Sequence, residues 1–586
     1  MSDVRKSWLT ISTLAVLAGC MFVAADRFAD REQAAYAQMH APVPRIGAVR
    51  PANGDMTALP DVSIAADLDL PDSLDFKRAT GLDPTSLNDE SVRLLDELGQ
   101  RVPAHLNTSG AGDIVVLVPT KPLEEGHRYT FEVTSKLRDH DGRAFVPHMS
   151  SFVVARDVAR ESIDVAFEQV ALNVDSGTAF TAITIGPDQK LYAGTFDGRI
   201  IRYTIQSDGT LTSAETIDTI IRKNNGPRMV IGFAFEPNSP SPKLWVSHGQ
   251  LKPFEGGSIT GADDWTGAIS VLDGSNLENY RDAVTHLPRG YKDHLNFQPS
   301  FGPDGALYFN QGSHTSSGAP DAKWGMRPEH LMTAAILRLD VKKLGDQTID
   351  AQTDGPAAYD PYSPNAPLTI YSTGVRSSYD LLWHSSKKLF ASVNGYASGG
   401  NAPARAKSNQ FSALAAIQRL SQTSDDVLLD VEFGGYYGHP NPARNEFVIN
   451  GGNPSRSIDP YEVIEYPIGT SPEKNWRMPV MSFGKNVSPN GMIEHQSDAF
   501  SGKLKRAILV TRFSSGDDIV AIELDDRGNP RALISGIEGF GGLTDPLDLA
   551  QDSRSGRIYV AEFGGQRLTL LRPIAGRSQA HRRSLR

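Results

Sequence analysis

A strand–turn–strand unit recurs along the last two thirds of the chain, and this repetition restricts the possible folds more than any other feature. In one copy, Phe180-Thr181-Ala182-Ile183-Thr184-Ile185 leads through Gly186-Pro187-Asp188-Gln189-Lys190 to Leu191-Tyr192-Ala193-Gly194-Thr195. Phe297 to Gln311 repeats it around Gly302-Pro303-Asp304-Gly305. Leu381 to Phe390 is a degenerate copy, Leu547 to Val560 another, and Gly232 to Val246 a looser one. Tails such as Asp197-Gly198-Arg199-Ile200-Ile201-Arg202-Tyr203 add a further hairpin strand. A single small sheet cannot bury both faces, so such units must pack on one another, which points to a β-propeller. About 410 residues from Val165 to Pro573, at roughly 40–70 per repeat, give about six blades. The stretch from Ser398 to Ser424 lengthens one repeat and is expected in a rim loop.

Residues 40–155 lie outside this repetition and read as a separate β-domain. Alternation of period two appears at Val62–Leu68, Ile114–Val118 and Arg128–Val133. Asn53-Gly54, Asp83-Pro84, Ser109-Gly110, Glu125-Gly126 and Asp141-Gly142 punctuate it as turns. Strands at this spacing suggest a sandwich. The ordered signals Pro51-x-Asn53-Gly54, Leu82-Asp83-Pro84-x-Ser86-Leu87 and Leu123-x-x-Gly126-x-x-Tyr129-Thr130 follow one another, then Leu137-x-Asp139-x-Asp141-Gly142. This order resembles the bacterial Ig-like domain of surface-layer proteins. The resemblance implies a spacer or adhesion module. The whole chain is therefore expected to be all-β: an N-terminal Ig-like β-sandwich (40–155) followed by a six-bladed β-propeller (165–573). Its 53 Gly and 37 Pro suit a fold so rich in turns.

Residues 1–39 read as an export or anchor segment. Arg5 and Lys6 precede an apolar run from Trp8 to Ala25, and Leu17-Ala18-Gly19-Cys20 within it looks like a bacterial lipobox. Cys20 is the single cysteine, so no internal disulfide can form, and it is the candidate lipidation site. An uncleaved membrane helix and a plain secretory peptide are the alternatives. All three place the remaining chain outside the cytoplasm, and either anchor would hold it at the cell envelope. Residues 574–586 form a basic tail expected to be disordered. The formal net charge of −11 argues against nucleic acid as a partner, because a nucleic-acid binder needs a basic face.

Several clusters could carry chemistry. Lys292-Asp293-His294 stands just before a repeat strand. An imidazole beside a carboxylate is a candidate general base, with His294 taking the proton and Asp293 orienting it. Arg376, in Ser372-Thr373-Gly374-Val375-Arg376-Ser377, could hold an anion. The carbonyls of Gly395 and Tyr396, in Val393-Asn394-Gly395-Tyr396, could ligate a hard cation such as calcium. Gly434-Gly435-Tyr436-Tyr437-Gly438-His439-Pro440 makes a rigid aromatic turn, and Asp425-Asp426 is an acidic pair. There is no Ser-His-Asp signature, no phosphate-cradling Gly loop and no Cys/His zinc spacing.

Taken in order, Leu287-Pro288-x-x-x-Lys292-Asp293-His294, Phe301-Gly302-Pro303-Asp304-Gly305-x-Leu307-Tyr308, Gly374-Val375-Arg376 and Gly434-Gly435-Tyr436-Tyr437-Gly438-His439-Pro440 resemble the glucose/sorbosone dehydrogenase family, the soluble quinoprotein aldose dehydrogenases. The resemblance spans roughly Thr181 to Pro573. It implies oxidation of a sugar or polyol with pyrroloquinoline quinone and calcium as cofactors. It also implies that His294 is the general base, that Arg376 faces the quinone oxygens and that Gly395 and Tyr396 bind calcium. The electron acceptor is not specified by it.

Departures from the family pattern are equally specific. Ser377 stands where the family has Asn, and Gly312-Ser313 stands where it has a Gly-Asp pair behind the catalytic His, with His314 next door. Ser514, Asp545 and Leu547 fall near the positions of three cations that hold the quinone carboxylates; Lys485 and Arg512 are the nearby replacements. Losing three cations weakens the hold on a tricarboxylate. Two function classes therefore stand: an extracytoplasmic quinone-dependent oxidoreductase, and a non-catalytic cell-surface propeller that binds glycans or proteins.

Overall fold

The computed structural model describes residues 43–574 apart from 61, 72–80, 109–111, 157–162, 255–258, 408–411 and 457. The export segment with Cys20, the tail beyond 574 and most of the junction at 156–162 lie outside the described residues. Among the described residues the chain is nearly all-β, in eight sheets that are antiparallel but for the short parallel strand Ile349–Asp350 at the edge of one, and its two α-helices, Thr219–Lys223 and Val341–Leu344, are short. No helix among them is long and apolar enough to cross a membrane.

Two four-stranded sheets form the N-terminal unit. One runs in the order Arg45–Arg50, Ile64–Asp69, Ile114–Pro119, Ala104–Thr108; the other runs Arg101–Val102, Val92–Leu95, Arg128–Val133, His148–Val153. Alternation explains the second sheet well. In Arg128–Val133 the odd-numbered Tyr129, Phe131 and Val133 are buried, while Arg128, Thr130 and Glu132 are not. Ile64, Ala66 and Leu68 from the first sheet meet Leu94, Phe131 and Phe152 from the second in one core. Ile114–Pro119 departs from alternation: Ile114 through Val118 are all buried. Its outer residues Ile114, Val116 and Val118 pack with Ala65 and with Ala397 of the long loop after Leu389–Val393. A strand covered on both faces reads as a continuous apolar run.

The other six sheets form a ring. Their first strands are Phe180–Ile185, Arg228–Phe235, Ser300–Phe301, Leu381–Trp383, Pro489–Glu494 and Pro546–Asp552. Each touches the first strand of the next sheet, and the sixth touches the first, so the circuit is closed. Both ends of the ring segment take part in the closure. The sixth sheet takes its outermost strand, Phe167–Leu172, from the chain segment ahead of the ring, paired antiparallel to Arg567–Pro573 from Leu172 opposite Leu568 to Phe167 opposite Pro573. Shared cores between neighbouring sheets hold the ring. Leu191, Ala193 and Tyr203 of the first sheet, for example, pack with Tyr559, Ala561 and Leu570 of the sixth.

Long excursions interrupt the fourth sheet. The segments between Leu389–Val393 and Asp426–Val431, and between Asp426–Val431 and Met481–Gly484, contain no strand among the described residues. They have a core of their own, in which Tyr396, Ala402, Leu420, Ile449 and Tyr466 are buried together. These excursions meet the N-terminal unit. Asp67 accepts from Thr423 Oγ1 at 2.8 Å while paired with Arg50, and Arg419 Nη2 lies 2.9 Å from Asp69 Oδ1.

Candidate active site

The loop before the third sheet places His294. Its organiser is Arg289, a fully buried guanidinium whose Nη1 donates to the carbonyls of Gly290 (3.0 Å), Lys292 and His294 (3.0 Å). Three carbonyls converging on one cation close the loop into a tight hook. Burial pushes the Arg289 pKa down to about 10. His294 itself is 4% exposed.

Ser313 holds the His294 ring. Nδ1 lies 2.9 Å from the Ser313 carbonyl and 3.1 Å from its hydroxyl. The hydroxyl proton is committed to the Thr315 carbonyl at 2.9 Å. A carbonyl can only accept, so Nδ1 carries the proton and Nε2 keeps a lone pair. Burial, and then the Arg376 charge, hold the His294 pKa well below the ordinary histidine value. The ring is therefore a neutral imidazole, the form a general base requires. The Ser313 amide in turn donates to the Arg376 carbonyl at 2.8 Å, so the segments carrying His294 and Arg376 are joined through one serine.

Gly374 sets the approach of Arg376. Its φ of 76° lies in the left-handed region, and a Cβ there would meet the Tyr437 and Gly438 amides at 2.7 Å. The Arg376 guanidinium bonds to the Ser316 carbonyl at 3.0 Å and lies 5.3 Å from the centre of the Trp324 ring. That indole also packs at a tilt of 40° against His294, centroids 4.3 Å apart, and has the Lys292 ammonium 5.9 Å from its centroid. Burial pushes the Lys292 pKa down to about 8, against the pull of Asp113. Trp324 is thus the common wall of the base and two cations.

His294, Asp293, Arg376, Trp324 and Gly395 line one cavity of about 100 Å³. The orienting bond to His294 comes from Ser313 rather than from the neighbouring carboxylate, and Asp293 Oδ1 is buried without a hydrogen-bond partner. His314 faces away, into a separate cluster with Asp264 and His330. At the expected calcium turn, the Tyr396 carbonyl already accepts the Ser424 amide at 2.9 Å, and the Gly395 amide donates to Asp426 at 2.7 Å. Asp426 also accepts the Val487 and Ser488 amides at 2.6 and 2.8 Å, which makes it a structural clamp. The two replacement cations are engaged as well: Lys485 pairs with Asp425 at 2.8 Å, and Arg512 grips Asp518 with both arms at 2.7 and 2.6 Å.

Asp113, Ile114 and Val116 of the N-terminal unit line the same cavity. Sequence reasoning missed them, together with Ser313, Trp324 and Arg289. Only Ser313 carried a signal, as the residue standing in place of an expected Asp.

These dimensions test the implied quinone. Pockets that hold cofactor-sized ligands measure roughly 300–1,000 Å³, several times the cavity beside His294. Arg376 is the one cation lining the cavity among the described residues, against the carboxylates of Asp113, Asp293 and Asp426. A tricarboxylate does not fit this cavity as it is built, in volume or in charge.

No family model matches the chain, and no curated protein resembles it in sequence. Solved structures do resemble it. The pyrroloquinoline-quinone-bound aldose sugar dehydrogenase of Streptomyces coelicolor matches at 16% identity over 70% of this chain and 98% of its own, with a TM-score of 0.43. The holo quinone domain of a pyranose dehydrogenase from Coprinopsis cinerea matches at 13% over 69% and 97%, with a TM-score of 0.44. An auxiliary nutrient binding protein of Bacteroides ovatus matches at 10% over 91% and 99%, with a TM-score of 0.33.

Proposed function

We propose that this chain recognises a small sugar or polyol in the cavity beside His294, with His294 as the base that takes a hydroxyl proton. The chain is read as a six-bladed propeller carrying an Ig-like spacer, held outside the cytoplasm by its lipidated or uncleaved N-terminus. One observation carries the reading. The bond from His294 Nδ1 to the Ser313 carbonyl leaves Nε2 as the basic nitrogen of a buried, neutral ring at the cavity wall.

The rest of the lining suits a neutral, hydroxyl-rich ligand. Asp293, Asn394, Asn486, Ser488 and Ser514 offer donors and acceptors, and Trp324 offers an apolar wall. Hydroxyl groups both donate and accept, so they satisfy such a mixture where a polyanion cannot. His294 supplies the proton-accepting half of a sugar dehydrogenase's reaction. The other half requires an electron acceptor, and pyrroloquinoline quinone does not fit the cavity as built.

A second reading is favoured by the N-terminal residues in the cavity wall. With Asp113, Ile114 and Val116 in place, the ring serves as a non-catalytic surface module whose binding face lies elsewhere. One experiment separates the two. The purified protein is titrated calorimetrically with monosaccharides and polyols, and in parallel with pyrroloquinoline quinone and calcium while quinone absorbance is followed. The proposal expects hydroxylic ligands to bind wild type and His294→Ala alike. It expects any acceptor-dependent turnover to fall about 10²–10⁴-fold in His294→Ala. If no hydroxylic ligand binds, the surface-module reading replaces it.

A further inference from the structure

Beyond the base and its cavity, the same group of loops holds a second cluster. Asp264 precedes the Gly267–Asp273 strand of the second sheet, while His314 follows Leu307–Gln311 and His330 precedes Ala335–Leu339 in the third. Their candidate ligand atoms all lie within 4.8 Å of one another. His330 Nε2 is 2.7 Å from Asp264 Oδ2, and His314 Nε2 is 3.9 Å from Asp264 Oδ1.

The decisive atom is His314 Nε2. The residue is fully buried, and this nitrogen has no hydrogen-bond partner. Its other nitrogen, Nδ1, lies 3.1 Å from the Pro328 carbonyl and must donate to it. Nε2 is therefore a bare lone pair, held in the tautomer of a metal ligand and aimed at the Asp264 carboxylate. Buried polar atoms normally find partners, so one left bare among an imidazole and a carboxylate asks for a cation.

The surroundings are those of a supported site. His330 Nδ1 lies 3.2 Å from Asp354 Oδ2, the carboxylate–imidazole pairing that orients a metal-bound histidine. Trp265 packs at a tilt against the His330 ring, centroids 4.3 Å apart, and its own amide donates to Asp264 Oδ1 at 2.8 Å. The His314 amide is fixed by Glu329, at 3.2 and 3.1 Å from its two carboxylate oxygens. Arg327 Nε, 3.9 Å from Asp264 Oδ2, competes for the carboxylate and lowers the affinity for any second cation.

We propose that Asp264, His314 and His330 form a divalent transition-metal site of the zinc class. Two imidazole nitrogens and one carboxylate oxygen suit zinc and its neighbours, whereas calcium and magnesium demand oxygen ligands. Asp264 and His330 are partly exposed, so solvent completes the tetrahedron. The ion ties the second sheet's loop to the third. It also pins the turn that contains Ser313, the residue that orients His294.

The test uses the full chain, stripped with chelator and titrated with cobalt(II) as a spectroscopic probe, then with zinc as competitor. One equivalent of cobalt with visible ligand-field absorption, displaced by zinc and not by excess calcium, is the expected result. His314→Ala and Asp264→Asn each weaken binding at least 100-fold, and Asp354→Asn weakens it about 10-fold. If His314→Ala fails to fold by circular dichroism, Asp264→Asn and His330→Ala decide. Absence of the cobalt spectrum in folded wild type, or binding unchanged in the folded ligand variants, overturns the proposal.

Discussion

The Asp113 carboxylate, carried by the N-terminal unit, stands 3.6 Å from the Lys323 ammonium, on the turn that presents Trp324. It therefore brings negative charge to a cavity wall built mainly by the ring. Burial pushes the Arg376 pKa down, and Asp113 is the first of the carboxylates that pull it back up. Asp113→Asn should raise the affinity of the cavity for a small dicarboxylate such as oxalate about fivefold, the size of a screened interaction of roughly 1 kcal/mol. Calorimetric titration of both proteins checks this; equal affinities would mean that the Asp113 charge does not reach the anion.

His294 should stay neutral well into the acid range. Burial is the first cause of its lowered pKa, with Arg376 second. The sign follows directly: the unfolded ring protonates as pH falls through 6.5, the folded ring does so later, and this residue's contribution to stability is lost between the two values. Isotope-labelled histidine spectra, assigned with His294→Gln, should show an unprotonated ring at pH 5.5. A ring that titrates near 6.5 would contradict the burial argument.

The part of the stability that Asp517 and Asp545 govern should fall as pH rises from about 5 to 8. Burial lifts the Asp517 pKa to about 8, with Asp545 adding to it, and lifts that of Asp545 to about 7, with Glu562 adding to it. An acid whose folded pKa is raised binds its proton more tightly when folded, so ionisation between the unfolded value near 4 and the folded value favours unfolding. Asp517 Oδ1 accepts the Asp545 amide at 3.0 Å, a bond an asparagine can keep. Asp517→Asn should remove about half of this alkaline loss, as read from urea unfolding at each pH.

Phe167 is 2% exposed in the strand that completes the sixth sheet, with ring contacts to Phe500 at 5.1 Å and Phe540 at 4.8 Å. Phe167→Ala should cost about 3–5 kcal/mol of unfolding free energy, the usual range for a buried phenylalanine. A loss under 1 kcal/mol in equilibrium denaturation would show that the closing strand is loosely held.

The repeats were legible because each is local: the Phe180–Thr195 and Phe297–Gln311 motifs contain both strands and the turn between them. The site was legible only in part. His294, Arg376 and Gly395, singled out separately along the chain, line one cavity. Asp113 could not be assigned to it, because no periodicity relates a strand of the N-terminal unit to a loop of the ring. Lys485 and Arg512 lie near the right place in sequence, yet ion pairs with Asp425 and Asp518 consume them, and pairing across strands leaves no trace in spacing. Asp264, His314 and His330 show the same limit, since ligands drawn from two loops of different sheets have none of the short spacing by which metal motifs are recognised.

The closing strand also imposes an order in time. Phe167–Leu172 leaves the ribosome before any strand of the ring, while Arg567–Pro573, its partner, is made last. While the chain between them is made this strand has no mate, and pairing of such long sequence separation is intrinsically slow. The nascent chain must therefore carry an unpaired strand that invites another chain's strand until Arg567–Pro573 is made. Its escape from self-association depends on how soon the two ends of the ring find each other.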